Sequence, residues 1–440
     1  MSSQGDLFVF KERYGKCETV DGSIVIALQG DYDTEDEFAN LRHINGDLTL
    51  INVDPTIDLG GLDNLVSISG DLIYESIMPL NGGFESLETI GGDLVFVESD
   101  ATEITGFPSL TNIDGSLLIK DNLELLNING FNALETCLNI EVSKNFRLDV
   151  VDGFQNVRTI KNDLIFYVNT RLTNLIGFEN LETVEGEELR ITGHVQLPSI
   201  PTFSNLHNVS GKIELLNLEC DLIDAFPALK TCTDIGIGIS VLDGELTFSG
   251  FKELEALSGS LSIIATSATE IDAFDKLQEV SGDFSISGQN LINLDFAVNL
   301  ESIGGYLDIS GCPRLEAIND FGNLTSVGSY IMFERNDGLQ SITGFENLTD
   351  FDNDIFIKSN QNLKLINGFN GLSSFEILNI LFNESLEVVS GFDSLITMTD
   401  LRIGGGRELP VTLCAFVFRG ITCLFSFFER SMILFAITEI

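Results

Sequence analysis

Phe107-Pro108-Ser109-Leu110-Thr111-Asn112-Ile113-Asp114-Gly115-Ser116-Leu117-Leu118-Ile119-Lys120-Asp121-Asn122-Leu123-Glu124-Leu125-Leu126-Asn127-Ile128-Asn129-Gly130 is one copy of a unit that recurs along the chain. Its skeleton is Phe-x-x-Leu-x-x-Ile, a Gly-Asp-Leu-x-Ile-like segment, a short loop that often holds Asn, and Leu-x-x-Ile-x-Gly. The next copy opens at Phe131. Others open at Phe84, Phe154, Phe178, Phe203, Phe226, Phe251, Phe274, Phe321, Phe345, Phe369 and Phe392, with Leu62 and Ala297 in that slot in two weaker copies. From Leu41 to Leu395 the central residue advances 354 positions in 15 steps, a period of about 23.6, within the range of solenoids.

Each piece of the unit has a physical reading. Leu-x-Ile between exposed residues predicts a short strand with two side chains inward. Glycine before it predicts a corner that needs positive φ or close backbone approach. Phe-x-x-Leu-x-x-Ile predicts a return segment built as a loose turn or a short 3₁₀ piece. Asn122, Asn145, Asn169, Asn336, Asn360 and Asn383 mark the next corner, where stacked amides can bond neighbouring backbone. One coil cannot bury its own apolar face, so the coils must stack into parallel sheets. The fold expected is mainly β: a right-handed β-helix or leucine-rich-repeat-like solenoid of about sixteen coils. The 33 Phe, with no Trp, are then mainly core.

The chain of 440 residues carries a formal charge of −44, which predicts repulsion from nucleic acid and anionic membrane. The plainest role for the acids is to solvate the outside of the array. Seven Cys with no CxxC exclude zinc ribbons and thioredoxin-like sites. Cys137 and Cys232 sit at core positions of the repeat. Cys220 and Cys232 lie close enough in sequence for a pairing that spacing alone does not decide.

Cys17-Glu18-Thr19-Val20-Asp21-Gly22-Ser23-Ile24-Val25-Ile26 resembles the first coil of a receptor L domain, and Leu65-Val66-Ser67-Ile68-Ser69-Gly70-Asp71-Leu72-Ile73-Tyr74 matches its later coils. The resemblance runs from about Cys17 to Leu409. It implies a right-handed solenoid, an extracellular or cell-surface setting and ligand binding on a sheet face. The array is longer than a receptor L domain and is more similar to the long L-domain arrays of microbial surface proteins. Cys17 has no Cys in the following hundred residues, so growth-factor binding is not carried over.

On these grounds residues 1–16 form an N-terminal segment and 17–409 a continuous solenoid, with 17–37 as its capping first coil and acidic loop. Residues 410–440 are a hydrophobic tail without the repeat, as consistent with a displaced reading frame as with a native end. Membrane association is expected only if that tail is an anchor. No signal peptide is visible between Met1 and Glu18.

Catalytic constellations are sparse. His43, His194 and His207 have no Ser or Cys partner at a recognisable spacing, and neither HExxH nor a P-loop occurs. The acidic loop contains Asp31, Asp33, Glu35 and Asp36. It is a weak Ca²⁺ candidate without the EF-hand spacing, and a solvated loop is the plainer reading. No cofactor is expected.

Register places Thr49, Ile73, Val95, Leu118, Glu141, Ile165, Arg190, Glu214, Gly236, Ser262, Ser285, Asp308, Met332, Phe356, Asn379 and Arg402 outward on the strands. Ile73, Val95, Leu118 and Ile165, with Val97 and Tyr167 at the next outward positions, form a candidate apolar ligand face. Met332 and Phe356 are a smaller second candidate. The function expected is non-catalytic recognition of a protein or glycan at a cell surface. The alternatives are a stalk or adhesin spacer, or a carbohydrate-active β-helix enzyme.

Overall fold

The computed structural model describes residues 1–28, 35–54, 57, 59–75, 83–239, 246–404, 422–428 and 431–437. The fold is mainly β: a parallel-stranded solenoid of about 15 turns with a period of about 24 residues. Sixteen central residues bound fifteen full steps, which accounts for the difference from the sixteen coils expected. The chain divides into two compact units, residues 1–220 with 225–229, and residues 221–224 with 230–440.

In the first unit a long sheet runs from Ile24–Ile26 through Leu48–Ile51, Leu72–Glu75, Leu94–Val97, Leu117–Lys120, Ile140–Ser143, Leu164–Tyr167 and Glu188–Thr192 to Lys212–Leu218. Every pairing is parallel. Burial alternates along most strands, so Leu117 and Ile119 point inward while Leu118 and Lys120 face out. A second sheet of two- and three-residue strands collects the Leu-x-x-Ile segments from Thr19–Asp21 to Asn208–Val209. A third joins Glu103–Ile104, Asn127–Ile128, Val150–Val151 and Asn174–Leu175.

The second unit repeats the plan. Its long sheet runs from Ile235–Ile239 through Leu261–Ala265, Phe284–Ser287, Leu307–Ser310, Ile331–Glu334, Ile355–Lys358 and Ser374–Leu381 to Thr397–Gly404. In the tail, Thr422–Phe428 and Ser431–Ile437 pair antiparallel, and the latter pairs antiparallel with Thr397–Gly404.

The spacing of the motif follows from its turns. The Phe107 carbonyl accepts the Leu110 amide at 3.3 Å and the Phe131 carbonyl that of Leu134 at 3.0 Å. Phe-x-x-Leu is therefore one hydrogen-bonded turn. Asn-x-x-Leu is another, closed by Leu148 on the Asn145 carbonyl at 3.1 Å. The two weak copies are the ones that tighten to 3₁₀, at Gly60–Leu62 and Asp295–Ala297. Both have a smaller side chain than Phe in the core slot.

The Phe residues stack as ladders. Ring centroids of Phe107, Phe131, Phe154 and Phe178 lie 5.5, 5.6 and 5.0 Å apart. In the second unit, Phe321, Phe345, Phe369 and Phe392 stack at 5.3, 4.9 and 5.5 Å. Parallel rings at these distances add to the burial of their apolar area.

Two polar ladders hold the corners, and they point in opposite directions. At the first, the Asp71 amide donates to Asp47 Oδ1 at 3.0 Å and the Asp93 amide to Asp71 Oδ1 at 2.7 Å. Ser116 donates to Asp93 in the same way at 2.7 Å, and Ser260 to Asp234 at 2.7 Å. Part of the acidic content is therefore structural, a correction to the purely solvating role expected of it. The glycine before this position serves close approach: a Cβ on Gly92 would lie 2.1 Å from Asp71 Oδ1.

At the second corner, Asn122 donates its amide to Asn145 Oδ1 at 3.0 Å, and Asn145 to Asn169 Oδ1 at 2.9 Å. Each Nδ2 donates back to the preceding coil, Asn145 to the Ile119 carbonyl at 2.9 Å and Asn169 to that of Val142 at 2.9 Å. Asn336, Asn360 and Asn383 repeat this in the second unit. Asp reaches forward along the chain, whereas Asn reaches back.

Residues 1–16 were expected only as a segment outside the array. They hold a helix, Gln4–Tyr14, whose first turn is capped by Ser3 Oγ accepting the Asp6 amide at 3.2 Å. Leu7 is buried, and Phe10 packs on Phe38 at 5.1 Å. Met1 bonds the edge strand, its amine to the Val25 carbonyl and its carbonyl to the Ala27 amide. Helix and edge contact together cover the start of the first coil, whose sheet edge is otherwise open.

Candidate functional site

Strand pairing sets Val25, Thr49, Ile73, Val95, Leu118, Glu141, Ile165, Arg190 and Glu214 in one outward row of the first unit. Beside it run Glu75, Val97, Lys120 and Tyr167, with Ser143 and Thr192 buried at the same register position. Ile73, Val95, Val97, Leu118 and Ile165 are half-exposed and Tyr167 is exposed. Ile73, Val95 and Leu118 are consecutive neighbours, with Val97 next to them. Ile165 and Tyr167 are separated from that group by Glu141, which pairs with Lys120 at 2.7 Å and accepts from Ser143 Oγ at 2.9 Å. The candidate face is thus an apolar patch and a smaller aromatic one, divided by an ion pair.

A charge network bounds the far side. Arg190 pairs with Glu188 at 2.8 Å and Glu214 at 3.3 Å, and Lys212 pairs with Glu214 at 2.7 Å and Glu188 at 3.5 Å. The hydrogen bond to Glu214 raises the Lys212 pKa, with further help from Glu188. The Arg190 guanidinium also lies 6.0 Å from the Tyr167 ring centroid. Such exposed pairs fix side-chain positions more than they add stability.

Several exposed residues escaped the sequence reading. Val25, 46% exposed, extends the apolar row into the first coil; its signal was the Ile24-Val25-Ile26 alternation. Leu123, Phe146 and Val195 are exposed along the corner, each directly after a ladder residue. Tyr306 and Tyr330 face out in the second unit, at the position where other coils place the ladder Asp. Their signal was that substitution. Met332 and Phe356 are register neighbours, as expected.

His194 is fully buried in the asparagine corner. Cys137, Cys232 and Cys312 are buried free thiols, so Cys232 is not bridged to Cys220, which is also buried. Burial pushes the Cys137 and Cys232 thiols up to about 12 and Cys312 to about 11, so none is a thiolate at neutral pH. Asp31 and Asp33 lie outside the described residues, as do the side chains of Glu35 and Asp36. No cluster of three or more metal-ligating side chains occurs among the described residues. No described helix is long and apolar enough to cross a membrane.

The geometry defines a parallel-stranded, leucine-rich-repeat-like solenoid. Residues 16–81 match the family model described as the receptor L domain. Among solved structures, the chain is similar to the one titled "Crystal structure of TLR13-ssRNA13 complex", at 15% identity and a TM-score of 0.30. That match covers 87% of this chain and 65% of the other, so the chain spans less than two thirds of its length. No curated protein matches the chain.

Proposed function

We propose that the protein is a non-catalytic recognition module that binds a protein or glycan at a cell surface. It does so through the face carrying Ile73, Val95, Val97 and Leu118, with Ile165 and Tyr167 as a flanking contact. One observation carries the reading: Ile73, Val95 and Leu118 are register neighbours and half-exposed, with no charge among them. A strand face that only needed solvating would carry polar residues there, as Ser262, Ser285 and Asp308 do in the second unit. The receptor L domain match at residues 16–81 supports ligand binding and an extracellular setting, because the family is typically of that kind.

The test is an array of purified cell-surface proteins, glycans and single-stranded RNA, probed with the full chain and with Val95→Asp and Leu118→Asp. Binding of one protein or glycan that both substitutions abolish, in chains with unchanged melting curves, supports the reading. Binding of RNA alone, or binding indifferent to both substitutions, overturns it. An empty array favours the spacer role.

A further inference from the structure

The position that opens each long-sheet strand carries the forward-reaching Asp in much of the array: Asp47, Asp71, Asp93 and Asp163 in the first unit, Asp234 and Asp283 in the second. At two successive coils it carries tyrosine instead. Tyr306 still donates its amide to Asp283 Oδ1 at 3.1 Å, but offers no carboxylate to the coil that follows. Where a sequence abandons a local stabilising rule twice in a row, the replacing side chains merit a functional reading.

The two rings stack at 4.9 Å and 8°, both half-exposed, and Phe356 meets Tyr330 edge-on at 6.1 Å. Their facing sides are used on each other, which leaves ring edges and hydroxyls for a partner and no free slot between them for a sugar ring. The charges around them are acidic. Burial, then Asp283 and Asp308, push the Tyr306 hydroxyl pKa up, and burial, then Tyr306 and the same two acids, raise that of Tyr330. Asp308 is itself held above the usual carboxylate range, by burial first and by Glu334 in addition. Among the described residues no cation lies within ion-pair distance of Asp283 or Asp308, whereas Glu334 has Arg335 at 3.7 Å. One rung further on, Lys358 Nζ sits 4.3 Å from the Phe356 centroid, so this surface already holds an ammonium against an aromatic ring.

We propose that Tyr306, Tyr330 and Asp308 form a docking site for a lysine or arginine side chain presented by a protein partner. The carboxylate takes the charge, the phenol oxygens accept hydrogen bonds, and the aliphatic stem lies along the ring edges. This site is separate from the apolar face of the first unit and does not depend on it.

Because the chain carries a charge of −44, any polycation is attracted to it, and the test must separate a site from bulk attraction. The full chain is titrated with a fluorescently labelled arginine-rich peptide, a glutamate-rich peptide and a chitooligosaccharide. Tyr306→Asp/Tyr330→Asp restores the ladder residue and adds two negative charges. The site predicts that arginine-peptide affinity falls about tenfold or more in this variant despite the added charge. Bulk attraction predicts equal or tighter binding, which overturns the proposal. Should the variant fail to fold, Tyr306→Ser/Tyr330→Ser decides by the same criterion, since Ser116 and Ser260 occupy this position in other coils. Saturable binding of the oligosaccharide in place of the arginine peptide, or no saturable peptide binding, also overturns it. Val95→Asp is expected to leave this binding unchanged, so a failure here is distinguishable from a failure of the first-unit face.

Discussion

The Nδ1 of His194 lies 3.0 Å from the carbonyl oxygen of Asn169, one coil earlier, and donates to it from a fully buried ring. Preceding coils place asparagine at this corner. With Nδ1 as its donor, the neutral imidazole has Nε2 left as an acceptor, and among the described residues Nε2 has no hydrogen-bond partner. Burial pushes its pKa below the ordinary 6.5, and backbone carbonyls at Asn169 and Phe166 offset that only in part.

A pH dependence follows. The unfolded chain binds a proton near pH 6.5 that the folded chain resists. The full stability is present above that pH and falls as pH drops toward the depressed folded value, by at most about 1.4 kcal/mol per pH unit. His194→Asn is expected to flatten this slope. Urea melts at pH 7.5 and 5.5 would test it, and equal slopes in both chains would exclude His194 as the source.

The Asn145 side chain holds the preceding coil twice, accepting the Asn122 amide and donating to the Ile119 carbonyl. Asn145→Ala leaves a buried amide and a buried carbonyl unpaired. The expected loss is about 2–4 kcal/mol, at about 1–3 for each orphaned group less partial relaxation. Asn145→Leu should be no better, since volume is not what is missing. Chemical denaturation distinguishes this from a packing effect.

Phe131 lies between Phe107 and Phe154 in the ladder and is fully buried. Phe131→Ala should cost about 3–5 kcal/mol. Phe131→Leu should cost less and shift the local turn toward the tighter form seen at Gly60–Leu62, where a Leu fills the same slot. Amide exchange at Leu134 would register that change.

Gly92→Ala would drive a methyl into Asp71 Oδ1 and to 2.8 Å from the Gly70 carbonyl carbon. The expected cost is about 1–3 kcal/mol, whereas Gly322→Ala, with nothing within 4 Å, should change stability by less than about 0.5. Asp71→Asn keeps the acceptor and should be tolerated, as Asn139 is at the same position. A calorimetric melt of the set ranks them, and equal losses at Gly92 and Gly322 would contradict the close-approach explanation.

Much of the fold could be read from the chain because one spacing recurs. Phe-x-x-Leu and Asn-x-x-Leu each encode a turn, and Leu-x-Ile encodes a strand, so period, register and outward row followed together. What escaped the reading were features with no period. The helix Gln4–Tyr14 occurs once and lacks a marked apolar stripe. The role of the corner Asp depends on geometry between coils, since a carboxylate that solvates and one that accepts an amide look alike in sequence. Tyr306 and Tyr330 stand one place before the strand, outside the alternation that marks its outward residues. The candidate face was only half legible: its members were named, but not the ion pair of Lys120 and Glu141 that divides it.

The opposed ladders of Asp and Asn also constrain how such a chain can change over generations. A coil that carries both ladders offers a carboxylate to its successor and a carboxamide to its predecessor, so such coils are interchangeable with one another but not reversible. Gain or loss of a whole period rejoins every donor to an acceptor and leaves the rings in line. A change of any other length orphans both corners at once. Descent by duplication of intact periods is therefore the route that this hydrogen-bond polarity leaves open, and it makes array length the trait most free to vary.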